Sequence, residues 1–341
     1  MSEHNPLLEM EGLPPFSKIE PKHILPAMED LLLENREAVA WLMDQESSFG
    51  WDTLVQPLEE MEDRLGRVWS PVSHLNSVKN SPELRDAYNA CLPLLSDYAT
   101  EMGQHKGLHA AFRQIAESEN YRMLEPSQKK IVENALRDFR LSGIDLPVEQ
   151  QQRFREISQS LSQLTSFGEN VLDATNQWEK SISDESLLAG LPDSAIAMAK
   201  QTAEQREQAG WLFTLDFPSY IAVMTYAESR ELREELYEAY VTRASDQGPH
   251  DRALDNTPIM EQILSLRHEK AVLLGFNNYA EYSLSTKMAD SPDQVIAFLE
   301  DLAERSLDVA KQELEELRQF ANESDGLEEL QSWDVAYYSE N

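Results

Sequence analysis

A single cysteine, Cys91, stands among the 341 residues of this sequence. One thiol excludes an internal disulfide and any thiolate zinc cluster, and it suits a reducing compartment. Glycine is also scarce, at 12 residues, and no G-x-S-x-G elbow, Walker loop or dinucleotide fingerprint occurs. Basic side chains are outnumbered, 29 against 62 acidic ones, for a formal net charge of −33. A field of that sign repels phosphate, so neither nucleic acid nor an anionic membrane surface is expected as a partner. No apolar run approaches the ~20 residues that span a bilayer. The opening "MSEHNPLLEMEG" lacks a basic stretch followed by an apolar one, so no signal peptide and a cytoplasmic placement are expected. Internal repeats and low-complexity tracts are missing too.

What remains is the material of a helical core. Hydrophobic residues make up 41% of the chain and charged ones 27%, ample for burial and too apolar for disorder. Apolar positions recur at spacings of three and four, which predicts an all-α, multi-helix body. Helices are expected at 22–46, 51–69, 82–102, 127–141 and 148–181. Ser81 and Pro82 supply a cap and a first helical residue. The aromatic and branched run Trp211 to Leu215 departs from this pattern and reads as a short strand, followed by a helix at 219–228. A later helix starts at Thr257-Pro258. The last, opened by the capping box Ser291-Pro292-Asp293-Gln294, runs to about Phe320. Weak breaks over 181–210 suggest two helical subdomains, 1–190 with an extended proline-rich arm and 191–341.

The chemistry begins with His268-Glu269, the first half of H-E-x-x-H. That signature needs a second imidazole one helical turn on, so that both face one zinc ion, and a third ligand from elsewhere. Val272 stands in the second position and has no lone pair to offer, and Lys270 adds a like charge. On a helix, Met260, Ile263, Leu264, Ala271 and Leu274 would form an apolar stripe, with Gly275 ending the helix. Arg267 and His268 lie four residues after Ile263 and Leu264, so one of them is expected to be buried and paired with a carboxylate. Glu269 then belongs to packing.

Other candidates are weaker. His105 and His109 in "HKGLH" have metal-ligand spacing, but Gly107 weakens a helix there and no third ligand is apparent. An exposed, unrelated pair is expected. His74 is expected to cap or pack. Cys91, beside Leu92 and Leu94 on an apolar face, reads as a buried, inert thiol. Acidic pairs such as Glu59-Glu60 and Glu315-Glu316 fit solvated helix faces. No residue is assigned a catalytic, metal-binding or substrate-binding role.

Taken together, "PPFSKIEPKHILPAM", "SPVSHLNSVKNSPELRDAY", "NALRDFRLSGIDLP", "TLDFPSYIAVMTYAESRELREELYEAYVTRASDQGP", "LRHEKAVLLGFNNYAEYSLSTKMA" and "WDVAYYSE" resemble the thimet-oligopeptidase family of zinc metallopeptidases, collinearly and over essentially the whole chain. The resemblance implies a mostly helical protein around a deep channel that hydrolyses short unfolded peptides and excludes folded ones. It also implies that H-E-x-x-H, the third ligand and the substrate-binding residues lie in a C-terminal half beyond Asn341. The expectation is therefore an N-terminal portion, with channel wall and scaffold but no bound zinc and no activity alone. A missing C-terminal half is then a partner, and an apolar face is expected to lie open near the last helix and the Trp333–Tyr338 tail. The alternative is a stand-alone helical module that binds peptides or proteins without catalysis.

Overall fold

The computed structural model describes residues 5–10, 12–45, 48–164 and 166–340. The chain forms two compact units, 1–164 with 266–279, and 165–265 with 280–341. The division thus falls earlier than the 190/191 boundary expected from local breaks, and residues 266–279 return to the first unit. Proximity in space makes that return, and no local composition marks it.

In the first unit, helices α1 (Pro21–Gln45), α2 (Gln56–Val78), α3 (Pro82–Gly103), α4 (Lys106–Glu117), α5 (Pro126–Leu141) and α6 (Val148–Gln163) follow in order. Ile24, Met28 and Leu31 of α1 pack with Leu65, Val68 and Val72 of α2 and with Leu84 and Cys91 of α3. A neighbouring cluster joins Val39 and Leu42 to Phe112, Ile115, Val132 and Phe139. The Ser81 hydroxyl accepts the Leu84 N–H at 3.3 Å, the cap read from sequence. Helix α2 continues to Val78, past the predicted end at 69, because buried Pro71 is accommodated inside it.

Helix α4 was absent from the expected set because Gly107 sits in its first turn. Its start is fixed instead by His105, whose Nδ1 accepts the Leu108 N–H at 3.0 Å. The predicted helix 148–181 is also corrected. It is α6, then α7 (Ser166–Gln177) in the second unit, then a strand β1 (Glu179–Ile182).

The second unit continues with α8 (Asp193–Gln205), β2 (Trp211–Thr214), α9 (Phe217–Tyr226) and α10 (Arg230–Val241). Strand β2 lies in the expected extended run, and it pairs antiparallel with β1 from Glu179↔Thr214 to Ile182↔Trp211. The turn into β2 requires Gly210, at φ +85°, because the Ile182 carbonyl occupies the space a Cβ would need. Ile182, Leu188, Phe213, Val223, Leu232 and Leu236 make this unit's core. Among the described residues β1 and β2 form the only sheet, so the all-α class holds.

The remaining helices are α11 (Thr257–Leu273), α12 (Tyr279–Leu284), α13 (Pro292–Asp325) and α14 (Ser332–Glu340). Helix α13 starts on the Ser291 hydroxyl, which accepts the Gln294 N–H at 3.2 Å. It ends at Gly326, left-handed at φ +67°. No helix among the described residues is long and apolar enough to cross a membrane.

Candidate functional site

The half-motif lies on the C-terminal part of α11. The helix closes there as the sequence suggests: Gly275 is left-handed at φ +85°, and the Phe276 N–H reaches back to the Ala271 carbonyl at 3.0 Å. That six-residue return bond, with the Gly275 N–H on the Val272 carbonyl at 3.0 Å, satisfies carbonyls that a helix end otherwise leaves open.

The packed face differs from the expected one. Ala271 is buried, but Met260 and Leu264 are 42% and 66% exposed, and Arg267 and His268 are exposed as well. The half-buried positions are Ile259, Ile263, Leu266, Glu269, Lys270, Leu273 and, just past the helix, Leu274. At about 100° per residue this face keeps Ile263, Ala271 and Leu274 of the predicted stripe but is rotated by roughly a quarter turn toward Leu266 and Glu269, which carries Arg267 and His268 into solvent. Arg267 lies 5.0 Å from the Tyr279 ring centre. The expected burial of Arg267 or His268 is therefore corrected.

The charged residue that meets its counterpart is Glu269. Arg153 of α6 donates Nε to Oε1 at 2.6 Å and Nη2 to Oε2 at 2.8 Å, the bidentate fork that suits a guanidinium and a carboxylate. These bonds hold the Glu269 carboxyl below the usual range. Beside it, the Lys270 ammonium lies 4.5 Å from the Phe154 ring centre and 3.4 Å from the Ser158 hydroxyl. Burial lowers its pKa. Glu269 is thus an acceptor already taken up by an arginine, and Val272 beside it is 53% exposed and apolar.

The other candidates are dispersed. His105 caps α4, and His109 tilts against Phe139 at 5.4 Å between ring centres. Both are half-buried, not exposed as expected, and each serves a different partner. His74 packs against Phe16 at 5.6 Å. Cys91 is fully buried; burial first, and then the negative charge of Glu29, push its thiol up to about 12. No group of three or more His, Cys, Asp or Glu side chains placed to hold a metal ion occurs among the described residues.

Two features escaped the sequence reading. In the first unit, Leu65, Trp69, Tyr98, Met102, Phe112 and Phe139 line an apolar groove of about 760 Å³, with Glu59, Glu62 and Asp138 also in its lining. In the second unit, Asp334 at the start of α14 is fully buried. It accepts Arg230 Nη2 at 2.8 Å, Arg233 Nη2 at 2.9 Å and the Gln331 N–H at 3.0 Å. Burial opposes its charge, yet the hydrogen bonds from Arg230, Gln331 and Arg233 prevail and its pKa is lowered. The Arg233 guanidinium also donates to the Ala227 carbonyl at 2.6 Å and stands 4.1 Å from the Tyr337 ring centre. The arginines sit three apart on α10, and Asp334 stands three residues after Gln331 at a helix start. Those local signals do not say that the two join.

Comparison with known families fits this arrangement. The pattern described as the Neurolysin/Thimet oligopeptidase N-terminal domain matches residues 28–152, and that of peptidase family M3 matches residues 223–341. Both matches are to patterns of M3-type peptidases, and their order along the chain is that of an N-terminal portion of such a peptidase. It is 56% identical over 337 residues to oligopeptidase A of Salmonella typhimurium and to that of Escherichia coli, covering 98% of this chain and 50% of each relative. It is 40% identical over 346 residues to a probable cytosolic oligopeptidase A of Arabidopsis thaliana, covering 98% of this chain and 48% of that one. The chain therefore spans about half the length of the curated relatives it matches.

Family M3 is zinc-dependent. The side chains described here do not fit a zinc centre: Glu269 is engaged by Arg153, residue 272 is valine, and His74, His105 and His109 face separate partners.

Proposed function

We propose that this chain is the non-catalytic N-terminal portion of an oligopeptidase-A-like zinc metallo-endopeptidase, which hydrolyses short unfolded peptides inside a channel. The chain supplies wall and scaffold, binds no zinc and is inactive alone. The observation that carries this reading is the Arg153–Glu269 pair, which makes the half-motif part of the packing of α6 and α11. The half-length similarity to oligopeptidase A supports it. A cytoplasmic placement draws support from the relative named cytosolic.

Zinc analysis tests this reading. After equilibration with zinc and exhaustive dialysis, the chain is expected to retain far less than one equivalent. One tightly held zinc per chain would overturn the reading.

The apolar groove in the first unit favours a second reading, a helical peptide-binding module. Saturable binding of short peptides without hydrolysis, lost on Trp69→Ala, would support it.

A further inference from the structure

Helix α13 is exposed all round over a long stretch: every residue from 296 to 316 is exposed. Such a helix is usually polar on every side, held by ion pairs such as Arg305–Asp301 at 2.8 Å. This one is not. Ile296, Phe298, Leu299, Leu302, Leu307 and Val309 are 47–61% exposed, and at about 100° per residue they fall within one arc of about 180°. The opposite arc carries Glu300, Asp301, Glu304, Arg305, Asp308 and Lys311. An amphipathic half-cylinder of this length has the form of an interior face, and large contiguous apolar patches mark interaction sites.

Two candidate occupants can be weighed. A second copy would set α13 against itself. Between 296 and 320 the helix has seven acidic and three basic side chains, on a chain of net charge −33, so self-pairing brings like charges together. The other occupant is the polypeptide corresponding to the remaining half of the relatives, about 50% of whose length this chain spans.

We propose that the apolar face of α13, from Ile296 to Leu314, is the docking surface for the complementary C-terminal half of a family M3 peptidase. The proposal rests on the reading of the chain as an N-terminal portion. It places the docking on α13 and not on α14, whose Asp334 and Tyr338 are buried within the second unit.

The test is co-expression of the full chain with the C-terminal half of the Escherichia coli oligopeptidase A, followed by affinity capture and mass determination. A one-to-one complex is expected. Leu299→Glu with Leu307→Glu is expected to lower recovery at least tenfold with an unchanged circular dichroism spectrum, because both side chains are exposed. Val335→Glu on α14 should leave recovery intact. No complex, a complex indifferent to the α13 pair, or a self-dimer dissolved by that pair would each overturn the proposal. Zinc retention by the chain alone would instead overturn the reading beneath it, so the two failures are distinguishable.

Discussion

Arg153 and Glu269, 116 residues apart in sequence, form a two-pronged ion pair at 2.6 and 2.8 Å. The glutamate of an apparent zinc motif is thereby a structural acceptor that ties α11 to α6. Both side chains remain partly exposed, at 45% and 40%, so solvent screens the pair. Arg153→Ala or Glu269→Ala should lower stability by about 0.5 kcal/mol, measured by urea unfolding. The carboxyl pKa is depressed in the folded chain. The pair's contribution is therefore full above the ordinary glutamate value of about 4.3 and fades as pH falls through the folded value. A double-mutant cycle followed from pH 7 into acid should show a coupling at pH 7 that shrinks as the pH falls below the ordinary glutamate value.

Asp334 gives a larger effect. It is fully buried and holds Arg233, whose side chain is 2% exposed. Removing one member of a buried ion pair strands the other, at a cost of about 3–5 kcal/mol. Asp334→Ala should destabilise the second unit by that order, read from Trp333 fluorescence on unfolding. Because the folded pKa is lowered, the contribution is present above the ordinary aspartate value of about 3.9 and is lost as pH falls through the folded value. An acid-insensitive transition would contradict this.

The histidine pair separates capping from metal binding. His105→Ala should lower stability by about 1 kcal/mol through loss of the α4 cap, and His105→Asn should restore most of it. Like the parent chain, these variants and His109→Ala should each retain far less than one equivalent of zinc after dialysis. Stoichiometric zinc in the parent chain that is lost in both His105→Ala and His109→Ala would show instead that the two act together.

The buried Cys91 thiol, at a pKa of about 12, should resist a thiol reagent at pH 8 in the native chain. Reaction should appear only as the first unit unfolds and should follow the urea dependence of unfolding. Rapid stoichiometric labelling without denaturant would contradict its burial.

Local signals made much of this fold legible. Ser81, Ser291 and Gly275 mark helix ends by their own chemistry, and the structure uses each as read. What was misread depends on distant partners. Strand β1 exists because β2 pairs with it, while its own residues, Glu179 to Ile182, continue a helix-like pattern. The packed face of α11 is set by α6 through Arg153 and Phe154, so an apolar count along α11 alone placed Ile263, Ala271 and Leu274 correctly but turned the face too far toward Met260 and Leu264. The open face was half legible. The apolar residues of α13 are exposed as expected, but in the Trp333–Tyr338 tail only Val335 is, the aromatics being half-buried or buried, because Asp334 meets two arginines and the Tyr338 hydroxyl donates to Asp325 at 2.8 Å. The candidate zinc site could be judged from sequence, since Val272 offers no ligand whatever the fold. Arg153 as the partner of Glu269 could not.

The most direct test of the central claim is the initial rate of hydrolysis of a quenched fluorescent short peptide by the purified full chain with added zinc, with and without chelator. The account expects no rate above the buffer blank in either case. A rate that co-purifies with the chain and disappears with chelator would contradict it.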